Sequence, residues 1–557
     1  MKNFPRIFTI CFILVFLLAG IIGHDPWKQD ETYTFGIIYH FYTTHSWLIP
    51  TNAGVPFMEK PPLYYWSAVI LCKALSPWLA LHNAARLTSF FYMLVTCGFL
   101  WKTCKVLFRG KEHAEELRIT ALLLFLGTIG VLRHSHDMFT DVALLTGFTV
   151  TLYGASLLAC ENMRWKEAGL WLGIGAGIAF LSKGMFVLGI FGISLPVLLV
   201  LMKRLRTLPT LNALLLAGVV ASPFFVIWPL LLYRDSPALF TQWLWENNVG
   251  RFVGFSVSRL GANNECGYVL YSVFWFCFPV FPLVLLRTVR RIHDWRRKRI
   301  FALAPQWLLP AVLSVVGLLL LLISASSRAL YMLPLIPAFT VLAAPEVLKL
   351  NARFTAGWNH MVRILFLATI ILLWIVWGGL MTGHNLAAVA RVFPVNFMPP
   401  YSQWPAVLVA ILATVCFLFL FRLRARDVNH LVLIWFFAVA SVWIVGMMLL
   451  LPWTDETRSY RTVLTQMQEF IDHSPYRGEK MEEYRMGESV GPMFEYFMPG
   501  HRLNIVPQFD VATAPLLFTV ELRSEHLEHG PGWKLIWQGA RALDTKDEEL
   551  RLYARKQ

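Results

Sequence analysis

Long apolar runs, each broken by a short polar cluster, recur along this chain from its first residues to about residue 451. Runs of that length are read as membrane-spanning helices, and their continuity, without strict alternation, excludes a β-barrel. The pattern predicts about thirteen spans, at 5–23, 83–101, 119–133, 142–160, 168–181, 185–202, 211–232, 268–286, 307–324, 329–345, 364–382, 404–421 and 431–451. The first resembles a signal peptide with Lys2 and Arg6 as its basic flank, but the spans that follow favour a retained first helix. After Leu451 the pattern changes: acidic, basic and histidine residues become frequent and no spanning run appears. Residues 460–473 fit an amphipathic helix, and 503–506, 516–520 and 533–537 read as strands.

The expected fold is therefore an all-α polytopic membrane protein carrying a small C-terminal α/β domain. The expected division is a transmembrane domain over 1–451, with its first outer loop at 24–82, and an extramembrane domain over 452–557.

Composition agrees. The 557 residues are 57% hydrophobic and 15% charged, and the mean hydropathy is +0.55. The net charge of +15 would suit nucleic acid, but the basic residues lie in short clusters between spans, so no nucleic-acid partner is expected. Alternate loops carry them, as in Lys102 to Arg118, Lys203 to Arg206, Arg287 to Arg299 and Arg422 to Arg426. That asymmetry places this set in the cytoplasm, with the N-terminus inside and the C-terminus outside. The eight cysteines form no CxxC pair and read as buried small hydrophobes.

Candidate chemistry gathers in the outward loops. Asp30-Glu31 follow the first span and precede Tyr33 to Trp47, which reads as an interfacial amphipathic helix. Asp30 is either a helix cap or a carboxylate that accepts a proton from an incoming hydroxyl. Glu59-Lys60 sit between Pro56 and Pro61-Pro62, which fix the backbone on both sides. The lysine is a natural partner for phosphate or a snorkelling anchor; the carboxylate suits a divalent ion or a sugar. In Arg133 to Asp141, His134, Asp137 and Asp141 would share one face of a helix, and Asp141 is the favoured functional carboxylate. Lys183, Arg251, Arg259 and Arg328 are outward cations against the general trend, which points to an anionic lipid headgroup.

With these residues in hand, the chain resembles the GT-C polyprenyl-phosphate-sugar glycosyltransferases. It is most similar to the bacterial branch that transfers 4-amino-4-deoxy-L-arabinose to lipid A, related to the protein O-mannosyltransferases. The resemblance rests on Asp30-Glu31-Thr32, Glu59-Lys60-Pro61-Pro62-Leu63, Thr140-Asp141-Val142, Phe180-Leu181-Ser182-Lys183-Gly184, Val249-Gly250-Arg251-Phe252 and Tyr331-Met332-Leu333-Pro334, in family order over about the first 340 residues. It implies an extracytoplasmic site in a bacterial inner membrane, a polyprenyl-phosphate-linked sugar donor, and lipid A or another envelope glycan or protein as acceptor. Asp30 is then the main catalytic carboxylate, with Asp141 beside it. Lys60, Lys183, Arg251 and Arg328 meet the donor phosphate, and Glu31, Tyr64 and Arg259 are candidates for the sugar or acceptor.

The resemblance further implies that Glu59 helps coordinate one divalent metal ion, with Asn248 the second position toward it. A histidine is expected shortly before Arg251-Phe252, where this chain has Asn247-Asn248, and a lysine is expected where it has Arg328. The first departure counts against the metal, and both bear on specificity, so the resemblance carries the donor class and not the exact sugar. The other class of function compatible with many spans and intramembrane charge is a lipid or sugar transporter. Transporters typically show repeated halves and midplane sites, and here no repeat is visible and the charges gather at one face.

Overall fold

The computed structural model describes residues 6–28, 30–161, 164–257, 267–298, 304–384, 387–399, 402–426, 428–499, 504–524, 532–544 and 548–556. Among these, eight helices are long and apolar enough to cross a membrane, and nine if Tyr268–Phe276 and Val280–Arg297, bent by 107°, form one span. The thirteen expected spans are thus not all matched by helices of spanning length. The first is the short α1 (Arg6–Leu18), and the expected spans at 119–133 and 185–202 fall on short helices as well. Arg259, a candidate for the sugar or acceptor, lies outside the described residues.

The segment expected as the first outer loop carries two helices and a hairpin. Helix α2 (Asp30–Thr44) is buried within the protein from Glu31 to Ile38 and again at Phe41. A hairpin of β1 (Thr51–Asn52) and β2 (Val55–Pro56) then leads to α3 (Leu63–Leu75), and α4 (Leu81–Leu107) re-enters the apolar body. Helices α5 (Ala114–Leu126) and α6 (Ile129–His134) follow. The chain breaks at Ser135 to Phe139 before α7 (Thr140–Cys160), so His134, Asp137 and Asp141 do not share a helical face.

Helix α7 is the centre of the membrane body and is buried over nearly its whole length. It packs closely on α8 (Trp165–Lys183) because both carry glycines at the crossing. A Cβ at Gly147 would lie 2.6 Å from the Ala179 nitrogen, and one at Gly175 2.5 Å from the Thr151 nitrogen. Small residues that let backbones approach are the usual means of helix packing where apolar burial gives no net drive. The crossing sets the start of α7, with Asp141, beside the end of α8, with Lys183.

Helices α9 (Phe186–Leu201) and α10 (Leu208–Asp235) continue the body, and α10 leads through α11 (Pro237–Thr241) into a π-helical stretch, Gln242–Gly250. Later helices are α12 (Tyr268–Phe276), α13 (Val280–Lys298), α14 (Pro305–Ile323), α15 (Ile336–Val347), α16 (Ala352–Thr382), α17 (Trp404–Phe419) and α18 (Val428–Arg458).

The C-terminal part contains α19 (Arg461–Asp472), α20 (Gly487–Phe497) and a five-stranded sheet. Its strands are β3 (Met481–Tyr484), β4 (Asn504–Ile505), β5 (Leu516–Leu522), β6 (Trp533–Gly539) and β7 (Glu548–Arg555), in the order β4-β3-β5-β7-β6. Strand β3 runs parallel to β4 and β5, whereas β7 is antiparallel to β5 and β6. The amphipathic helix and strand segments expected from the sequence therefore appear; β3, β7 and α20 are additions.

This domain is fastened to the segment between α1 and α3. Asn52 donates to the Glu488 carbonyl at 3.0 Å, and a Cβ at Gly36 would meet Pro492 at 2.3 Å. Arg461 forks onto the Asp25 carboxylate, and Trp27 donates from its indole to Asp455 at 2.8 Å. Burial alone would raise the Asp25 carboxyl; Arg461 outweighs that and holds it below its usual range.

Candidate active site

One end of the helical body and the C-terminal domain enclose a cavity of about 910 Å³. Asp30, Glu59, Lys60, Asp141, Lys183, Asn248, Arg251 and Arg328 all line it, although they come from six separate places in the chain. Its lower part is apolar, formed by Leu144, Phe186, Gly189, Leu320 and Leu321. Its roof comes from the C-terminal domain, through Arg485, Glu488, Glu521 and Glu548. The cavity is thus amphiphilic, charged above and apolar below.

Most charges are already paired. Lys183 contacts Asp141, which is fully buried, and lies 3.9 Å from the centre of the Tyr331 ring. The Lys183 turn is fixed by Gly184: its φ is +78°, and a Cβ there would fall 2.0 Å from the Asn248 side-chain oxygen. Arg251 forks onto Glu59, with Nη2 at 2.6 Å from Oε1 and Nη1 at 3.0 Å from Oε2. Lys28, which the sequence reading passed over, bridges the opening to Glu548 of the C-terminal domain.

Lys60, Arg328 and Arg485 make no ion pair among the described residues. Lys60 donates to the Tyr33 hydroxyl at 2.5 Å, and Tyr33 donates in turn to Asp30 Oδ1 at 2.9 Å. One hydrogen-bonded chain therefore joins a cation to the carboxylate at the first position of α2. Burial, reinforced by Asp30, holds the Tyr33 phenol well above its ordinary range, so Tyr33 stays a donor at neutral pH. On the roof, burial and then the charge of Glu59 raise the Glu488 carboxyl.

Two candidates for the sugar or acceptor lie elsewhere. Glu31 is buried and does not line the cavity: Arg86 donates to both its oxygens at 2.8 and 3.1 Å, and the amides of Trp27 and Met138 donate at 3.1 and 2.9 Å. Burial would raise its carboxyl, but Arg86 outweighs this and holds it at about 2. Tyr64 is fully buried, with its hydroxyl 2.8 Å from Ser89. The geometry gives both an internal, positioning place.

Arg86 was missed in the sequence reading. It is fully buried and also donates to the carbonyls of Ile21, His24 and Asp25 at 3.0, 3.2 and 3.0 Å. The available signal was an arginine inside the apolar run of α4, since an ionisable group at membrane depth seldom lacks a partner.

The donors toward a metal do not fit one. Both Glu59 oxygens are taken by Arg251, and the Asn248 amide donates to the Trp243 carbonyl at 2.8 Å. Among the described residues, no three His, Cys, Asp or Glu side chains gather as a metal site.

Residues 59–228 match the family model described as dolichyl-phosphate-mannose-protein mannosyltransferase. The chain is 25% identical over 315 residues to the undecaprenyl phosphate-alpha-4-amino-4-deoxy-L-arabinose arabinosyl transferase of Yersinia enterocolitica, covering 55% of this chain and 53% of that one. To the protein of the same description from Yersinia pestis it is 23% identical over 343 residues, covering 60% and 58%. The chain thus spans a little over half the length of these relatives. The crystal structure of ArnT from Cupriavidus metallidurans bound to undecaprenyl phosphate superposes with a TM-score of 0.69 at 16% identity, over 99% of this chain and 98% of that one. The fold is shared over the full length, and the resemblance to the GT-C superfamily seen in the motifs holds.

Proposed function

We propose that this chain is a multi-pass glycosyltransferase of a bacterial inner membrane. It takes a sugar from an undecaprenyl-phosphate-type donor and delivers it to an envelope acceptor, with lipid A or lipopolysaccharide first among the candidates. The observation that carries this reading is the amphiphilic cavity: unpaired cations beside Asp30 above, and an apolar floor between α7, α9 and α14 below. A long isoprenoid phosphate has the same two-part character. Thirteen crossings fit if α1, α5 with α6, α8 and α9 also cross as shorter or more polar spans. With the N-terminus cytoplasmic, they bring the C-terminal domain, taken as 452–557, to the periplasmic side.

In the reaction we infer, the donor phosphate settles against Lys60 and Arg328, two of the lining cations without an ion pair among the described residues, with the Lys183–Asp141 pair alongside. Their charge stabilises the phosphate as it leaves. The sugar carbon passes through an oxocarbenium-like state, the usual course of glycosyl transfer. Asp30 takes or orients the acceptor proton from the opposite side, so the anomeric centre inverts. Tyr33 holds Asp30 Oδ1 while Lys60 turns toward phosphate.

Mass spectrometry of lipid A and envelope glycans from cells with and without the protein tests the reading. A sugar increment on lipid A that depends on the gene supports it; identical profiles of glycolipids and glycoproteins would return the chain to the transporter class. In a reconstituted assay, Lys60→Ala is expected to lower kcat/KM by about 10²–10³-fold, the usual cost of one donor to a developing oxyanion. Wild-type kcat/KM in that variant would remove Lys60 from the phosphate.

A further inference from the structure

The Glu59–Arg251 pair has a consequence for the metal that the resemblance implies. A protein metal site generally needs three or more donors free to converge on the ion. Glu59 accepts with its two oxygens from the two terminal nitrogens of Arg251, a bidentate geometry. Asn248 stands near the place expected for a histidine, but its amide nitrogen is committed to the Trp243 carbonyl and its oxygen is packed against Gly184. The Asn247 nitrogen is likewise given to the Gln242 carbonyl at 3.1 Å. These bonds reach back five residues and follow the π-helical turn, so they belong to the local backbone.

Arg251 is itself braced. Ser326 donates to its carbonyl at 3.2 Å, and the amide of Ala325 donates to the carbonyl of Phe252 at 3.1 Å. Glu488 on the roof feels the charges of Glu59, Lys60, Arg251 and Asp30. A dication placed there would meet the positive charges of Lys60 and Arg251.

We infer that Arg251 takes, toward Glu59, the place of the divalent ion, and that this chain's site operates without a bound metal. The inference rests on the transferase reading for its meaning, but its test does not need that reaction. Purified full-length protein in lipid nanodiscs, exchanged into chelator-free buffer, is assayed for metals by plasma mass spectrometry and titrated with zinc or manganese salt alone. The expected result is well below one ion per chain, equal in wild type and Glu59→Gln, and no saturable binding that Glu59→Gln removes. The exchange variant Glu59→Arg with Arg251→Glu is expected to recover most of the thermal midpoint lost by either single change. A near-stoichiometric ion that Glu59→Gln loses, or an exchange variant no better than the singles, would overturn the inference. If no donor is turned over at all, the transferase reading fails while the metal content still decides this one.

Discussion

Asp30→Asn is expected to abolish detectable transfer, with turnover falling by about 10²–10⁴-fold, the range general-base catalysis contributes. The side chain keeps its shape, so the bond from Tyr33 and the start of α2 survive. What it loses is the ability to take a proton and to carry negative charge near the sugar. Donor binding, which this reading gives to Lys60 and Arg328, should remain within a few-fold of wild type by equilibrium binding of a polyprenyl-phosphate analogue. The split separates two kinds of acceptor. A hydroxyl acceptor needs the base and shows the full loss, whereas a phosphate acceptor is already anionic and shows a smaller one. Wild-type turnover with both would remove Asp30 from the chemistry.

The course of Asp30 from sequence to structure shows what the chain discloses locally. Glu59-Lys60 stood out because prolines flank two adjacent opposite charges and restrict the backbone, which turns at Met58-Glu59. Lys183 and Arg251 stood out as outward cations, but their partners did not. Asp141 is 42 residues from Lys183, and Glu59 is 192 from Arg251, separations that only helix packing closes. The pairing alters their standing, because a cation already neutralised by a carboxylate is less available to phosphate than Lys60 or Arg328.

The roof was not legible for a similar reason. Lys28 and Glu548 are 520 residues apart, and nothing in either neighbourhood announces the other. Strand β3 reads Met-Glu-Glu-Tyr and lacks apolar alternation. It is buried nonetheless because Glu482 accepts from the amides of Thr513 and Ala514 at 2.6 and 3.0 Å. A polar strand of that kind is explained by its partners and not by its pattern. What covers helix α2 was not legible either, since only the docking of Pro492 on Gly36 shows it.

Arg86→Met is expected to have the largest effect on the folded protein. Arg86 joins three segments that carry the site: the 21–25 turn through carbonyls, Glu31 next to Asp30, and, through Glu31, the Met138 amide just before Asp141. Removing one member of a buried ion pair costs about 3–5 kcal/mol, because the other charge is left without compensation. The variant should accumulate poorly in membranes and unfold at a lower temperature. Arg86→Met with Glu31→Gln should be the more stable of the two, since no buried charge remains.

The dependence on pH makes the argument sharper. Glu31 is held at about 2, below its ordinary value of 4.5, so its contribution to stability is present above 4.5 and is lost as pH falls toward 2. Without Arg86, burial dominates and the carboxyl rises instead. Protonation then relieves an unpaired buried charge, and acid should stabilise the variant relative to neutral pH through this group. Opposite slopes for wild type and Arg86→Met, read from unfolding midpoints in detergent between pH 3 and 7, are the expected result. Parallel slopes would show that Arg86 does not govern the Glu31 charge, and with it would fall the claim that this pair sets the position of Asp30.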